Sequence, residues 1–258
     1  MDYSLLQSPS FSIILFVALG LIFGSFISLV SYRLVHGGAI IVAHSKCPKC
    51  QHTLSFLDLF PVFSWLFNKG HCRYCRAKIS IRYPLTEIAS ALAFLLCYFA
   101  YGWTWNTLIL CSIVIALIIM IVVDLEHQII PDEIQIALAL LSLPYAYFWH
   151  VEWKQMVIMS IGLGLFSYGL RYIFWLWKKK EALGLGDVKF FIVAGLYLPF
   201  ESIASFLFIS GISGVLLGLL WRLMGWGERF PFGPSLAIAF FICISFPAAS
   251  YQWLYLVR

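Results

Sequence analysis

The chain has 258 residues, of which 62% are hydrophobic and 11% charged, with a mean hydropathy of +0.92. Soluble domains carry about a quarter charged residues, so this composition excludes an ordinary soluble globular protein and points to an integral membrane protein. The formal net charge of +5 is informative through its distribution along the chain rather than as a total.

The first apolar run, Phe11–Val30, is long enough to cross roughly 30 Å of hydrocarbon. Asp2 precedes it and no Lys or Arg does. It therefore lacks the basic region of a cleavable signal and is expected to be a retained first helix. Next comes Ser31–Leu85, with Arg33, Lys46, Lys49, Lys69, Arg73, Arg76, Lys78 and Arg82 against Asp58 before the chain turns apolar again. Further apolar runs follow at Thr86–Ala100, Asn106–Val123, Ile134–Trp149, Gln155–Trp177, Val188–Leu198, Ile203–Met224 and Ser235–Val257. The sixth of these eight candidate spans is short and is expected to be tilted, broken or shielded by its neighbours. The positive-inside rule makes Ser31–Leu85 cytoplasmic. Threading eight spans then leaves both termini outside and puts Asp124–Glu133, Lys178–Asp187 and Arg222–Arg229 inside. Gly20, Gly24 and Ser28 on the first span, and Ser210, Gly214 and Gly218 on the seventh, recur every four residues, a spacing that lets helices approach closely.

Within the basic loop, Cys47-Pro48-Lys49-Cys50 and Cys72-Arg73-Tyr74-Cys75 have the knuckle spacing of a tetrahedral zinc site. Two disulfides, a redox motif or free thiols are the alternatives, and a reducing cytoplasm argues against structural disulfides. A loop of this size cannot build a sufficient core, and a metal is a usual remedy. Leu57, Leu59, Phe60, Val62, Phe63, Trp65, Leu66 and Phe67 are too apolar for a solvated loop and are expected on the bilayer surface or against the bundle. His44, His52 and His71 flank the cysteines as substitute ligands, while Cys97, Cys111 and Cys243 read as small apolar packing residues. The fold class is therefore an all-α polytopic membrane protein of about eight transmembrane helices with a small cytoplasmic zinc-binding loop.

Two aspartates stand out. Asp124 ends the third span, and Asp187 follows the Gly184-Leu185-Gly186 turn before the sixth. Ionisable residues against a membrane segment are costly and are functional-site candidates by default. Two carboxylates on one face are the equipment of an aspartic protease, in which one takes a proton from water while its protonated partner polarises the scissile carbonyl. Each could instead be a helix cap. The glycines before Asp187 are expected to allow unusual backbone angles and to leave room for a peptide. Helix ends suggest Asp187 as the base in the resting state and Asp124 as the proton-bearing partner. Pro131, Asp132 and Glu133 read as an ordinary helix opening, and Glu126 and His127 as solvated. A proton-coupled transporter or a membrane scaffold would also accommodate such residues.

An ordered set of motifs resembles the type IV prepilin peptidases (leader peptidase/N-methyltransferases). It comprises Phe23-Gly24-Ser25-Phe26, Tyr32-Arg33-Leu34, the two cysteine pairs, the stretch 58–66, the stretch Ile79–Glu87, Asp124 with Ile130-Pro131-Asp132, Gly184-Leu185-Gly186-Asp187-Val188-Lys189 and Pro231-Phe232-Gly233-Pro234. The resemblance implies a bacterial inner-membrane aspartic endopeptidase that cuts the leader from type IV prepilins or type II secretion pseudopilins on the cytoplasmic side. It places the catalytic pair on Asp124 and Asp187 and structural zinc on Cys47, Cys50, Cys72 and Cys75. It also implies N-methylation of the new terminus with S-adenosylmethionine, and a division into a first helix (1–30), a methyltransferase-linked zinc loop (31–85) and a peptidase bundle (86–258). Ser28 and Val35 stand where the family's first motif has Asn and Pro. The expected partners are precursor peptides and the lipid bilayer, with no nucleic acid.

Overall fold

The computed structural model describes residues 8–37, 45–179, 183–227 and 230–247. His44, parts of the loops at 180–182 and 228–229, and the last span beyond residue 247 lie outside the described residues. Among the described residues, the regular elements are helices: α1 (Pro9–His36), a 3-10 turn (Phe56–Leu59), α2 (Phe63–Phe67), α3 (Arg82–Tyr101), α4 (Trp105–His127), α5 (Asp132–Trp149), α6 (Trp153–Lys178), α7 (Leu185–Gly195), α8 (Phe200–Leu223) and α9 (Gly233–Ser245). All but the 3-10 turn and the short α2 fall on the eight apolar runs. Five of them, α1, α3, α4, α6 and α8, are long and apolar enough to cross a membrane. This is a multi-pass membrane protein built from helices.

The chain divides into two compact units, Met1–Thr107 and Leu108–Arg258. In the first, α1 packs on α3 through the small residues spaced every four. A Cβ on Gly20 would stand 2.4 Å from the Ala91 Cα, and one on Gly24 2.4 Å from the Glu87 Cα. Such an approach needs glycine, because helix association in lipid relies on close packing rather than on expelling water. Ser28, at the variant motif position, shares a 2.7 Å hydrogen bond with the Thr86 hydroxyl. Toward the other end of the pair, Phe16 stacks on Tyr98 and Trp103 donates its indole N–H to Ser12 Oγ at 2.6 Å.

In the second unit α7 packs on α6 and α5, and α9 on α8. Val188, Phe190, Phe191, Val193, Ala194 and Gly195 are all buried, so α7 is covered except along the stripe of Leu185, Lys189 and Ile192. That explains how an 11-residue helix tolerates a membrane setting: its ends are satisfied by protein, not by lipid. Gly195 makes the closest approach, with a Cβ there 2.5 Å from the Ser160 Cα, and Ser160 Oγ donates to the Ile192 carbonyl at 2.8 Å. The stripe on α8 works differently from that on α1. Gly214 and Gly218 admit the rings of Phe232 and Phe230, which lead into α9. Cys97, Cys111 and Cys243 are buried, as expected of small apolar residues.

Candidate active site

Helix α4 continues one turn past the apolar run that ends at Val123, so Asp124 lies inside the helix. Its neighbours Met120, Val122 and Val123 are buried, and Asp124 itself is 5% exposed. Among the described residues, Glu87 is the only other buried carboxylate. What covers Asp124 is the start of α9: the Gly233 N–H donates to Asp124 Oδ2 at 2.7 Å. A Cβ on residue 233 would stand 2.6 Å from that oxygen, so the position requires glycine for space.

Asp187 is the third residue of α7, and its Oδ2 accepts the Gly184 N–H at 3.0 Å. It therefore caps its own helix, satisfying one of the amides that a helix start leaves unpaired. Unusual backbone angles, expected for the two glycines, are absent: Gly184 is extended at φ −66°, and Gly186 is not among the glycines with positive φ. Their role is steric. A Cβ on Gly186 would meet the Ile130 Cβ at 3.1 Å, and one on Gly184 would meet Asp187 Oδ2 at 3.0 Å.

Asp187 lies within electrostatic reach of Asp124. Asp124 and Asp187 both belong to the second compact unit. The N-terminal turns of α5 secure the approach. Gln135 donates Nε2 to the Gly186 carbonyl at 3.1 Å, and the Lys189 ammonium sits 2.6 and 2.8 Å from the Asp132 carboxylate oxygens. Asp132, read from sequence as a helix-opening acid, thus also ties α5 to α7. Gln135 is 5% exposed, and its Oε1 has no hydrogen-bond partner among the described residues. Glu126 and His127 lie 3.9 Å apart near the surface.

Sequence reasoning missed Gln135, Lys189 and the Gly233 amide as parts of this site. A glutamine on an otherwise apolar span is costly in lipid, and that signal was available. Gly233 lies in the Pro231-Phe232-Gly233-Pro234 motif, but nothing local in that motif says which residue it meets.

The four cysteine sulfurs of the first unit all lie within 4.8 Å of one another, with Cys47 and Cys75 at 3.9 Å. Tetrahedral Zn–S bonds near 2.3 Å place sulfurs roughly 3.8 Å apart, so the cluster fits a metal ion. The hairpins that carry it repeat each other. Gln51 N–H donates to the Cys47 carbonyl and Arg76 N–H to that of Cys72, both acceptors closing a turn that ends at positive φ. Bridges at Lys46–Thr53 and His71–Lys78 close each hairpin. The backbone N–H of Cys50 pulls the Cys47 thiol down to about 7. Against the Ala77 amide, burial and the neighbouring thiols push Cys75 up to about 11. Four crowded thiols cannot all ionise without a cation between them. His71 instead contacts the Lys69 carbonyl, and His52 packs on Tyr74.

Comparison with known proteins covers both units. A family model described as the bacterial peptidase A24 N-terminal domain matches residues 18–101, and one described as the type IV leader peptidase family matches residues 111–219. A Myxococcus xanthus protein named prepilin leader peptidase/N-methyltransferase is 31% identical over 213 residues, 82% of this chain and 63% of its own length. An Escherichia coli protein named type 4 prepilin-like proteins leader peptide-processing enzyme is 32% identical, over 90% of this chain and 93% of its own. A Pseudomonas putida prepilin leader peptidase/N-methyltransferase is 30% identical, with 93% and 92% covered. No solved structure matches the chain.

Proposed function

This chain belongs to the type IV leader peptidase family, and from that premise we propose that it is an aspartic endopeptidase of the inner membrane that removes leader peptides from type IV prepilins or type II secretion pseudopilins. The observation that carries this reading is that Asp124, buried at the end of α4, and Asp187, in the first turn of α7, lie within electrostatic reach of one another. The pair acts on a water molecule held between the carboxylates. Asp187, at a helix N-terminus, is the ionised member that takes the water proton, and Asp124, at a helix C-terminus, carries the proton that polarises the scissile carbonyl. Attack gives a tetrahedral centre, and as it collapses the proton that Asp187 took from water passes to the leaving amine. Asp124 is buried, so its carboxylate acts at a lower local dielectric than bulk water.

The prepilin's apolar helix enters between membrane helices, with its scissile bond at the cytoplasmic face. Both termini of the enzyme lie outside, following the charge asymmetry of the loops. Peptide cleavage belongs to the helices within 86–258. The 1–30 helix and the 31–85 loop belong to methyl transfer onto the freed amine, with zinc on Cys47, Cys50, Cys72 and Cys75 holding the loop. S-adenosylmethionine supplies the methyl group when bound.

The decisive test incubates membranes containing the enzyme with a prepilin and follows the precursor on a gel. Wild type shortens it, and Asp124→Asn and Asp187→Asn leave it uncut. Processing by both Asn variants would sink the dyad. A labelled methyl donor in the same assay reads the second activity: label absent from mature pilin would remove it. A transporter would lose uptake in the Asn variants but still process precursor.

A further inference from the structure

The first unit carries an apolar surface that neither the metal cluster nor the aspartate pair uses. Phe56, Leu57, Phe60, Phe63, Leu66 and Phe67, on the 3-10 turn, α2 and the residues joining them, are all exposed, with Phe56 at 80% and Phe67 at 82%. Isolated exposed apolar residues need no explanation, but a contiguous group of large ones marks an interaction site.

The inner side of this segment is pinned. Trp65 donates its indole N–H to the Ile79 carbonyl at 3.2 Å, and its ring covers Gly70. The outer side therefore cannot simply turn inward. Between the 3-10 turn and α2, Val62 takes φ +61°, a region unfavourable for a β-branched residue. There its N–H donates to Glu87 Oε2 at 2.7 Å. Glu87 is buried on α3 and backed by Gly24 of α1. It lies five residues beyond Arg82, where α3 starts, which is roughly 7.5 Å along the helix. The clip thus holds the apolar segment level with the second turn of α3, where that helix packs on the middle of α1.

Charge supports the same placement. Lys69, Arg73, Arg76, Lys78 and Arg82 follow the segment directly. Its one acid, Asp58, is already engaged by the Ser55 hydroxyl at 2.7 Å and the Tyr74 hydroxyl at 3.0 Å. Burial works against ionisation of Asp58, yet the Ser55 and Tyr74 hydrogen bonds and the Arg73 charge outweigh it and hold the carboxyl below its usual range. Apolar side chains beside basic residues suit the boundary of an anionic bilayer, where rings and aliphatic chains enter the acyl region and cations meet phosphates.

We propose that residues 56–67 form an interfacial anchor, inserted into the cytoplasmic leaflet of an anionic bilayer and clipped at that depth by Glu87 and Val62. The anchor fixes the metal-binding hairpins at the membrane surface. It does not depend on the peptidase reading.

The test uses the full-length protein in nanodiscs of phosphatidylcholine with phosphatidylglycerol and a phospholipid bearing a photoactivatable carbene precursor in its acyl chain. Trypsin releases Cys50–Lys69 as one peptide, because Lys49 and Lys69 flank the patch. The expected result is lipid adducts on this peptide at a yield comparable to that of α6 peptides. Phe56→Ser/Phe67→Ser should lower that yield several-fold while α6 labelling persists. Adducts on the α6 peptides with none on Cys50–Lys69 in the wild type would overturn the proposal. So would full labelling of the double variant.

Discussion

The backbone N–H of Gly233 reaches Asp124 Oδ2 at 2.7 Å across 109 positions of sequence. One residue thereby donates to the carboxylate and, by lacking a side chain, leaves room for it. Gly233→Ala keeps the amide but adds a Cβ 2.6 Å from the oxygen, and the carboxylate must move. A displacement near 1 Å in a catalytic group costs on the order of 10²-fold in rate. The expected outcome is a loss of that size in kcat with little change in KM, measured by steady-state prepilin cleavage. An unaltered kcat would separate the Gly233 contact from catalysis.

Removing either carboxylate removes general acid–base catalysis, worth about 10²–10⁴-fold. Because the two act as a unit, the double variant Asp124→Asn/Asp187→Asn should be little worse than either single one. Additive losses in single-turnover cleavage would argue for two independent roles.

Gln135→Leu deletes the 3.1 Å bond to the Gly186 carbonyl and also the buried oxygen that lacks a partner. A lost hydrogen bond costs about 1 kcal/mol, and removing an unsatisfied buried acceptor offsets much of that. Thermal stability in detergent should therefore hardly change, while cleavage falls because the turn before Asp187 loses its brace. A large drop in Tm with kcat preserved would make Gln135 a packing residue only.

The Asp132–Lys189 pair is short, but its side chains are 63% and 51% exposed. Exposed ion pairs contribute at most about 1 kcal/mol and weaken with salt. Lys189→Gln should cost no more than that, with the difference from wild type shrinking in high salt. The exchange Asp132→Lys/Lys189→Asp should recover most of the loss. A deficit independent of salt would assign Lys189 a role other than pairing.

Cys50→Ser removes one of four sulfurs in a cluster that belongs to a different compact unit from the aspartate pair. Bound zinc, counted by elemental analysis, should fall from one per chain toward zero, and the 45–81 region should become protease-sensitive. Methyl transfer should fail at a zinc level where precursor cleavage persists. Simultaneous loss of both activities would mean that the metal supports the peptidase as well.

Features that depend on near neighbours were legible in the chain. Apolar runs fix helices because backbone groups in lipid must pair within their own segment, and the eight runs became α1 and α3–α9. Cys-x-x-Cys spacing fixes a knuckle, and the four sulfurs do gather. The stripe Gly20, Gly24 and Ser28 announced a close helix contact and found α3. The similar stripe on α8 has the same spacing but receives phenylalanine rings, because small residues specify a gap and not its occupant. The glycines before Asp187 were legible as glycines, but their reason was not: they make room for Ile130 and the aspartate itself instead of supplying unusual angles.

Composition, charge asymmetry and motif order by themselves determined a polytopic helical protein with two candidate carboxylates and a four-cysteine cluster. Tertiary structure alone decided that Asp124 is buried beneath Gly233, that α5 braces the Asp187 turn, and that Glu87 clips an apolar segment level with two membrane helices. These contacts join residues whose separation in the chain leaves no periodic or local trace. They exist because close packing of helices brings particular backbone amides and carboxylates within 3 Å, where burial makes an unpaired polar group costly.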